Sequence, residues 1–257
     1  MLEVLPLASG SRGNSTLIRS SSTALLVDAG LTRKETLARL AAVEQDPADL
    51  AGLLLTHRHK DHCRSAATLC RRWKLPLHAT AATAEHQQPR TLPCIMEIQP
   101  GQEFEIGDIL IRSLTLSHDA PQTQAFVFES KDAGHRIGIA TDLGCSGKDV
   151  SDFLKDLDVL CLEFNHDSAL LQDGPYPAFL KQRIASPLGH LSNDQASTLL
   201  QQIASPRLQA LYLCHLSQHN NDPTLAHEIA SSTLTTDAAT KIHIALQDRV
   251  SQGHRLS

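Results

Sequence analysis

The sequence predicts a mixed α/β fold in which buried strands and helices are layered around one continuous core. Three observations support this fold class. Short apolar runs recur along the 257 residues and are bounded by glycine or polar turns, as buried strands are. The second half alternates such runs with helix-length segments. Hydrophobic residues make up 41% and charged residues 20% of the chain, which is typical of globular proteins, and a layered fold of this length can form one domain, residues 1–257.

The first part of the chain is predicted to be rich in strands. The predicted strands cover 4–8, a short run after the loop at 9–15, 23–27, 50–56, a segment near 77, 103–106, 109–116, 124–129 and 137–144. The Gly-Asp pair at 107–108 is a hairpin signal. Helical spacing of apolar residues predicts helices at 32–43, at 62–73 and up to residue 86.

The second part is predicted to alternate strands with helices. Predicted strands cover 157–163, 208–214 and 241–246, the last as the terminal strand, and predicted helices cover 192–204 and 223–233. Ser192 or Asn193 is expected to cap the first of these helices, because both side chains accept a hydrogen bond from a free backbone amide.

The charge balance excludes a broadly basic surface. The formal net charge is −5 and the sequence pI is about 6.2, so the non-specific attraction to nucleic acid that a basic protein shows is not expected. A local basic patch remains compatible with these numbers. We interpret the cluster of Arg71, Arg72 and Lys74 as the solvated face of a helix.

The sequence also predicts a compartment. Six cysteines are scattered without a C-x-x-C pair and are interpreted as reduced core thiols. The N-terminus lacks the features of a signal peptide, and no run of eighteen apolar residues occurs. We therefore expect a cytoplasmic protein without membrane association.

Residues 57–62 read H-x-H-x-D-H and follow a predicted buried strand, so that His57, His59, Asp61 and His62 emerge together in a turn. Imidazole nitrogen and carboxylate oxygen are the usual ligands of divalent zinc, manganese or iron. His57 and His59 can face one ion, and Asp61 with His62 a second. A mononuclear site is the alternative, and further ligands from elsewhere in the chain would decide against it.

Other predicted strands also end in ligand-type residues, namely Asp28, His118, Asp142, Glu163 and His215. These residues are candidates for one edge of a layered sheet. Asp28 is expected to hold a ligand histidine from behind, and Asp142 can bridge two ions through its two oxygens. The loop at 9–15, S-G-S-R-G-N-S, can present backbone amides and an arginine to an anion.

At this point the chain resembles the metallo-β-lactamase superfamily, and most of all the YycJ/WalJ-type hydrolases, which are related to tRNase Z and PhnP-like phosphodiesterases. The resemblance rests on the blocks L-A-S-G-S-R-G-N-S, T-H-R-H-K-D-H, L-S-H-D-A, I-A-T-D-L-G, L-E-F-N-H-D, G-H-L-S-N-D-Q-A and L-C-H-L-S, between residues 7 and 216. It implies a four-layer αββα sandwich and two divalent metal ions, with zinc or manganese as the metal and iron as a further candidate.

The resemblance also implies a ligand set. One metal would be bound by His57, His59 and His118, and the other by Asp61, His62 and His215, with Asp142 between them. A hydroxide held between two cations is a nucleophile at neutral pH.

Two histidines compete for the last ligand place. His215 directly follows a predicted core strand and is assigned as the ligand. His190 resembles the histidine of the tRNA-processing relatives that pairs with a glutamate, here Glu163. A carboxylate partner favours the protonated imidazole, so His190 is predicted to be a general acid, with Asp61 and Glu163 as the other catalytic residues.

The Glu163/His190 pair favours phosphodiester hydrolysis, since an alkoxide leaving group needs a proton. The resemblance implies a DNA exonuclease acting from the 5′ end, with nucleic acid as substrate. Predicted phosphate contacts are Ser11, Arg12, Asn14, Lys181 and Arg183, and Tyr176 could stack a terminal base. No protein partner is predicted.

Alternatives on the same fold remain. They are an acyl hydrolase of lactones, thioesters or β-lactams, a hydrolase of small cyclic phosphodiesters, a di-iron oxygen-reducing enzyme and a non-catalytic scaffold. The di-iron class would replace His59 with glutamate and add a flavin domain, neither of which is seen, and a scaffold would be expected to lose His190 or a bridging ligand.

Overall fold

Two seven-stranded sheets face each other and carry helices on their outer sides. The computed structural model describes residues 1–87, 91–234 and 240–257. The predicted layered α/β fold is confirmed, and the arrangement is the αββα sandwich that the resemblance implied. Among the helices of these three ranges, none is long and apolar enough to cross a membrane.

The strands of the first sheet are β1 Leu2–Ala8, β2 Ser15–Ser20, β3 Ala24–Val27, β4 Gly52–Leu54, β5 Leu77–Ala79, β6 Ile95–Glu97 and β14 His254–Leu256. Those of the second sheet are β7 Glu103–Ile106, β8 Ile109–Thr115, β9 Gln124–Ser130, β10 Arg136–Ala140, β11 Val159–Glu163, β12 Ala210–Cys214 and β13 Lys241–Ile244.

The helices are α1 Arg33–Ala42, α2 Lys60–Cys63, α3 Ala66–Trp73, α4 Ala81–His86, α5 Lys148–Phe153, α6 Ser168–Asp173, α7 Ala178–Ile184, α8 Asn193–Ile203 and α9 Pro223–Thr233, with a short 3₁₀ turn at Pro47–Asp49. Ser192 caps α8 as predicted: its hydroxyl accepts from the backbone amide of Gln195, whose side chain accepts from the amide of Ser192.

Each sheet is antiparallel in one half and parallel in the other. The first sheet has the order β14-β1-β2-β3-β4-β5-β6, and its pairs from β3 to β6 are parallel. The second has the order β13-β12-β11-β10-β9-β8-β7, and its pairs from β10 to β13 are parallel. Parallel neighbours bring their carboxyl ends to one edge, which is where open α/β sheets bind ligands.

The core consists of three buried apolar layers. In β12, Ala210, Tyr212 and Cys214 point into the layer between the sheets, whereas Leu211 and Leu213 pack under the outer helices α8 and α9. The third layer lies between the first sheet and helices α1, α3 and α4. Parallel strands buried on both faces read as continuous apolar runs, which explains why the sequence shows these strands clearly.

Two predicted elements differ from the observed ones. The helix predicted at 62–73 is divided into α2 and α3, and Ser65 begins the second helix with a backbone that is not helical (ψ 0°). The strand predicted at 241–246 is not the terminal strand, because β14 follows it and pairs with β1 in the other sheet. The sequence of the short β14 has no alternating apolar pattern from which this strand could be predicted.

Three residues that end parallel strands have left-handed backbones. Asp28, Asp142 and His215 have φ values of 61°, 62° and 55°. This region is uncommon for residues other than glycine and is enriched for asparagine, aspartate and histidine. The chain therefore turns sharply after β3, β10 and β12 and leaves these side chains at the shared edge.

We expect Gly30→Ala to destabilise the fold and disturb the turn at residues 57–62. A Cβ at Gly30 would overlap the backbone carbonyl of Asp61, which accepts a hydrogen bond from the amide of Asn14. Overpacking of this kind costs about 1–3 kcal/mol in the free energy of unfolding, to be measured by urea denaturation. Gly147→Ala is the control, because its Cβ would meet only the mobile carboxylate of Asp149; an equal loss in both variants would contradict the prediction.

Candidate metal centre

The edge where the parallel strands end gathers every residue predicted to bind a metal. His57 and His59 follow β4, His118 follows β8, Asp142 follows β10 and His215 follows β12. Asp61 and His62 lie in α2, which begins directly after His59. Together with Glu163 and His190, which form one group with Asp142 and His215, these seven residues form four overlapping groups, and within each group the ligand atoms lie within 4.8 Å of one another.

The first group contains His57, His59 and His118. Nδ1 of His59 lies 3.3 Å from Nε2 of His118. Two nitrogens on one tetrahedral zinc ion, at bonds of 2.0–2.1 Å, are about 3.4 Å apart. The spacing therefore matches two ligands of one ion.

The second group contains Asp61, His62 and His215. Oδ2 of Asp61 is 3.7 Å from Nε2 of His62 and 3.6 Å from Nε2 of His215. Asp142 lies between the two groups: its Oδ1 is 3.8 Å from Nε2 of both His118 and His215, and its Oδ2 is 3.0 Å from Nε2 of His62. One carboxylate thus reaches ring nitrogens of both groups.

The nitrogen of each ligand imidazole that faces away from the centre contacts an oxygen. Four are hydrogen-bonded: His57 Nδ1 to Thr56 Oγ1, His62 Nδ1 to Asp28 Oδ2, His118 Nδ1 to the Gly189 carbonyl and His215 Nδ1 to Glu163 Oε1, at 2.7–3.1 Å. Nε2 of His59 lies 3.2 Å from Oδ1 of Asp119. An oxygen acceptor on one ring nitrogen leaves the lone pair on the other, which is the tautomer a metal ligand needs.

The residues present fit a metal centre. Nε2 of His57, Nε2 of His215 and Oδ2 of Asp142 are buried and have no hydrogen-bond partner within the described ranges. Oδ2 of Asp142 lies near His62 without hydrogen-bond geometry. Buried polar atoms left without a partner are costly. All three face the centre of the cluster, where a divalent ion would satisfy them.

The charges at the centre favour cations. Burial, reinforced by neighbouring imidazoles, lowers the pKa of His57 well below its usual value. Burial acts in the same direction on His62 and His215, but Asp142 and the other carboxylates that contact them outweigh it and raise the pKa of both. Burial would raise the pKa of Asp142, yet His215 and His62 hold it well below the usual value. The carboxylates therefore stay ionised, and positive charge must accompany them.

His190 lies beside this cluster and contacts Glu163. Its Nδ1 is 2.8 Å from Oε1 of Glu163 and 3.7 Å from Oδ1 of Asp142. Burial disfavours the imidazolium, but the charge and hydrogen bond of Glu163 outweigh burial and raise the pKa of His190. Burial would raise the pKa of Glu163 itself, but His190 and His215 lower it to about 2. Glu163 thus contacts both competing histidines, which the sequence did not reveal.

Sequence reasoning missed Asp119 and Thr56. Asp119 contacts the rings of His59 and His118 and accepts from Nε of Arg183 at 2.7 Å. Its position directly after His118 was the available signal. The Thr56 hydroxyl contacts both Asp28 and His57 and so joins that carboxylate to a ligand imidazole. A threonine ahead of H-x-H carries no such signal by itself.

The predicted substrate contacts do not all lie at the centre. Ser11 and Arg183 line a cavity of about 170 Å³ over the ligand residues, and Arg12 lines a neighbouring cavity. The Asn14 side chain is buried and bonds to Gly10 and to Nε2 of His62. The half-buried Tyr176 packs edge to face on His219, outside the cavity over the ligands.

Lys181 also lies outside that cavity. Its ammonium group donates to the carbonyl of Gln172 at 2.6 Å, and it lines a different cleft on the other face of α7. Leu180 and Ile184 form, with Arg183, the face of α7 that covers the centre. One helix therefore separates the two clefts.

Comparison with known proteins agrees with this geometry. A family profile described as "Beta-lactamase superfamily domain" matches residues 23–215. Exodeoxyribonuclease WalJ of Streptococcus pneumoniae is 36% identical over 227 residues, covering 86% of this chain and 84% of that protein. Exodeoxyribonuclease YycJ of Bacillus anthracis is 33% identical over 234 residues, covering 89% and 87%.

A solved structure shares the fold. The metallo-β-lactamase fold protein YhfI of Bacillus subtilis superposes with a TM-score of 0.75 at 19% identity, covering 98% of this chain and 99% of that one. Identity this low supports the fold alone, whereas the profile and the two relatives support the family. The chain belongs to the β-lactamase superfamily, as an enzyme with the metallo-β-lactamase fold.

Proposed function

We propose that this protein is a dinuclear metal-dependent phosphodiesterase that degrades DNA from the 5′ end. The observation that carries the proposal is the Glu163–His190 hydrogen bond beside two groups of metal ligands that Asp142 joins. Relatives at 33–36% identity that are named exodeoxyribonucleases support the choice of DNA. The 5′ end comes from the resemblance to YycJ/WalJ-type enzymes.

The proposed ligand set keeps the sequence-based assignment. His57, His59 and His118 would hold one ion, and Asp61, His62 and His215 the other, with Asp142 shared. Asp28 would orient His62 from behind. Nitrogen and oxygen ligands without a thiolate suit zinc or manganese, and these ligand types also bind iron.

The chain's own residues would divide the work on the phosphate. Two divalent ions, if bound by these ligands, would supply an activated water and stabilising charge for the phosphate oxygens. His190, held by Glu163 at one ring nitrogen, would give a proton from the other to the departing sugar oxygen. Ser11 and Arg12, on the exposed loop after β1, would contact neighbouring phosphates.

Asn14 and Tyr176 remain weaker predicted contacts. The hydrogen bonds of the Asn14 amide to Gly10 and His62 favour a role in holding the loop against the ligand residues. Tyr176 packs on His219 outside the cavity over the ligands, which weakens its predicted role in stacking a terminal base. An acyl hydrolase on this fold has less need of the His190 proton, so the leaving group can separate the two functions.

The first test is metal stoichiometry. We expect the purified protein to bind about two equivalents of zinc or manganese, and Asp61→Ala to bind about one and to lose DNA hydrolysis by more than about 100-fold, since even residues behind the ligands contribute 10–100-fold. Elemental analysis and a nuclease assay on 5′-phosphorylated duplex DNA measure both. Asp149→Ala, at an exposed carboxylate in α5, is the control. Full activity of Asp61→Ala would contradict the two-metal proposal.

The second test separates the acid from the ligands. We expect His190→Ala to keep both metal equivalents and to lose about 100-fold or more in kcat on DNA, the usual contribution of general acid catalysis. Hydrolysis of bis(4-nitrophenyl) phosphate should fall much less, because nitrophenolate leaves without a proton.

His227→Ala, at an exposed imidazole in α9, is the control and should change the hydrolysis of neither substrate. Loss of metal from His190→Ala would make His190 a ligand. Equal loss on both substrates would contradict its role as an acid. Hydrolysis of thioesters or β-lactams without hydrolysis of DNA would overturn the phosphodiesterase proposal.

A further inference from the structure

A basic cavity of about 410 Å³ lies next to the cavity over the metal ligands. It is lined by Ser11, Arg12, Gly30, Glu35, Lys60, Asp61 and Arg64. Its three cations come from two segments: Arg12 lies in the loop after β1, and Lys60 and Arg64 lie at the first residue and the C-cap of α2. The fold therefore brings together charges that are not a run in the sequence.

None of these three cations forms an ion pair within the described ranges, although the hydrogen bonds from Thr32 and, to a smaller extent, the charge of Arg64 lower the pKa of the Glu35 carboxyl group. Within the described ranges, the side chains of Arg12, Lys60 and Arg64 have no ion pair and no hydrogen bond, and all three residues are exposed. Arg183 over the metal ligands is, by contrast, paired with Asp119. Unpaired cations in a concave site attract anions more strongly than the same charges on a convex surface.

Both carboxylates of the cavity are engaged elsewhere. The Glu35 carboxylate accepts from the hydroxyl of Thr32 at 2.6 Å and from its amide at 3.2 Å, in the cap of α1. Oδ2 of Asp61 lies toward the rings of His62 and His215. The lining therefore carries three positive and two negative side chains, and the two carboxylates are held toward Thr32 and the ligand imidazoles, in a chain whose net charge is −5.

The two cavities are contiguous, because Ser11 and Asp61 line both. The cavity over the ligands measures about 170 Å³, whereas sites for whole small molecules measure about 300–1,000 Å³. A substrate larger than one phosphate group must therefore extend out of the first cavity. The basic cavity is a direct continuation.

We infer that the cavity formed by Arg12, Lys60 and Arg64 binds the phosphodiester backbone of the nucleic-acid strand next to the scissile phosphate. This inference rests on the proposed function and adds the path of the strand. The ligand is a chain of phosphates recognised by charge, since the lining offers three cations and no aromatic side chain for stacking bases. Lys60 and Arg64 contribute to the affinity for DNA, whereas the metal ligands contribute to the rate of hydrolysis.

The test compares two triple variants that each remove three positive charges. One is Arg12→Gln, Lys60→Gln, Arg64→Gln. The matched control is Arg71→Gln, Arg72→Gln, Lys74→Gln, at the exposed end of α3. Metal-loaded proteins are titrated with a fluorescent 5′-phosphorylated duplex that carries phosphorothioate linkages, which keep the negative charges and slow cleavage. Affinity is measured by anisotropy over a series of salt concentrations.

We expect the cavity variant to lower the slope of log K against log salt by about 0.9 for each lost phosphate contact, and hence by about 2–3 in all. The control should change the slope by less than about 1. Turnover of bis(4-nitrophenyl) phosphate should fall much less in the cavity variant than turnover of DNA, because this small substrate does not extend into the basic cavity. The single variants Arg12→Gln and Arg64→Gln leave the ligand turn in place and should each lower the slope by about 0.9.

Three results would overturn the inference. They are equal slopes in the two triple variants, an unchanged slope in both single variants, or an equal loss of turnover on the small substrate and on DNA. If wild type cleaves DNA and the cavity variant matches the control, only the strand path fails. If wild type neither binds nor cleaves DNA, both the strand path and the proposed function fail.

Discussion

The site depends on the carboxylate of Glu163, which is fully buried at the end of β11. Oε2 accepts from the backbone amides of Leu143 and Leu191, and Oε1 from ring nitrogens of His190 and His215. Burying a charge is costly unless every lone pair is used, and these four contacts use them. The same carboxylate therefore fixes the loop after β10, the start of α8 and the end of β12 relative to one another, and with them the imidazoles of His190 and His215.

Interlocked loops provide the second constraint. The amide of Asn14 donates to the carbonyl of Asp61, the amide of Ala29 to that of His62, and the amide of Gly30 to that of Asn14. The loop after β1, the turn after β3 and the ligand turn are thus held by backbone bonds that do not depend on any metal. Left-handed residues cost about 1–3 kcal/mol each and persist where surrounding structure holds them. This scaffold keeps the ligand atoms close together in spite of the repulsion between like charges.

The sequence predicted the fold and the ligand edge because both follow from local patterns. Apolar runs that end in Asp28, Asp142 or His215 indicate buried parallel strands with polar ends, and parallel strands share an edge. The contacts that cross between segments could not be predicted. Glu163 touches His215 as well as His190, and Asp119 reaches His59, only because separate strand ends converge. For the same reason the sequence could not show that the Asn14 side chain is buried, because the hydrogen bonds of its amide group form only in the folded loop.

An acidic protein that acts on a polyanion, as we propose for this one, must concentrate its positive charge. With a net charge of −5, the chain as a whole repels DNA at distances beyond about 8 Å only weakly, because salt screens the field. Within that distance the local charges determine the electrostatic interaction with DNA, and bound divalent ions would add the largest of these charges. Several described cations outside the centre, such as Arg112 and Arg207, are paired with carboxylates. Selectivity for a strand end would then arise from a small positive region beside the ligands.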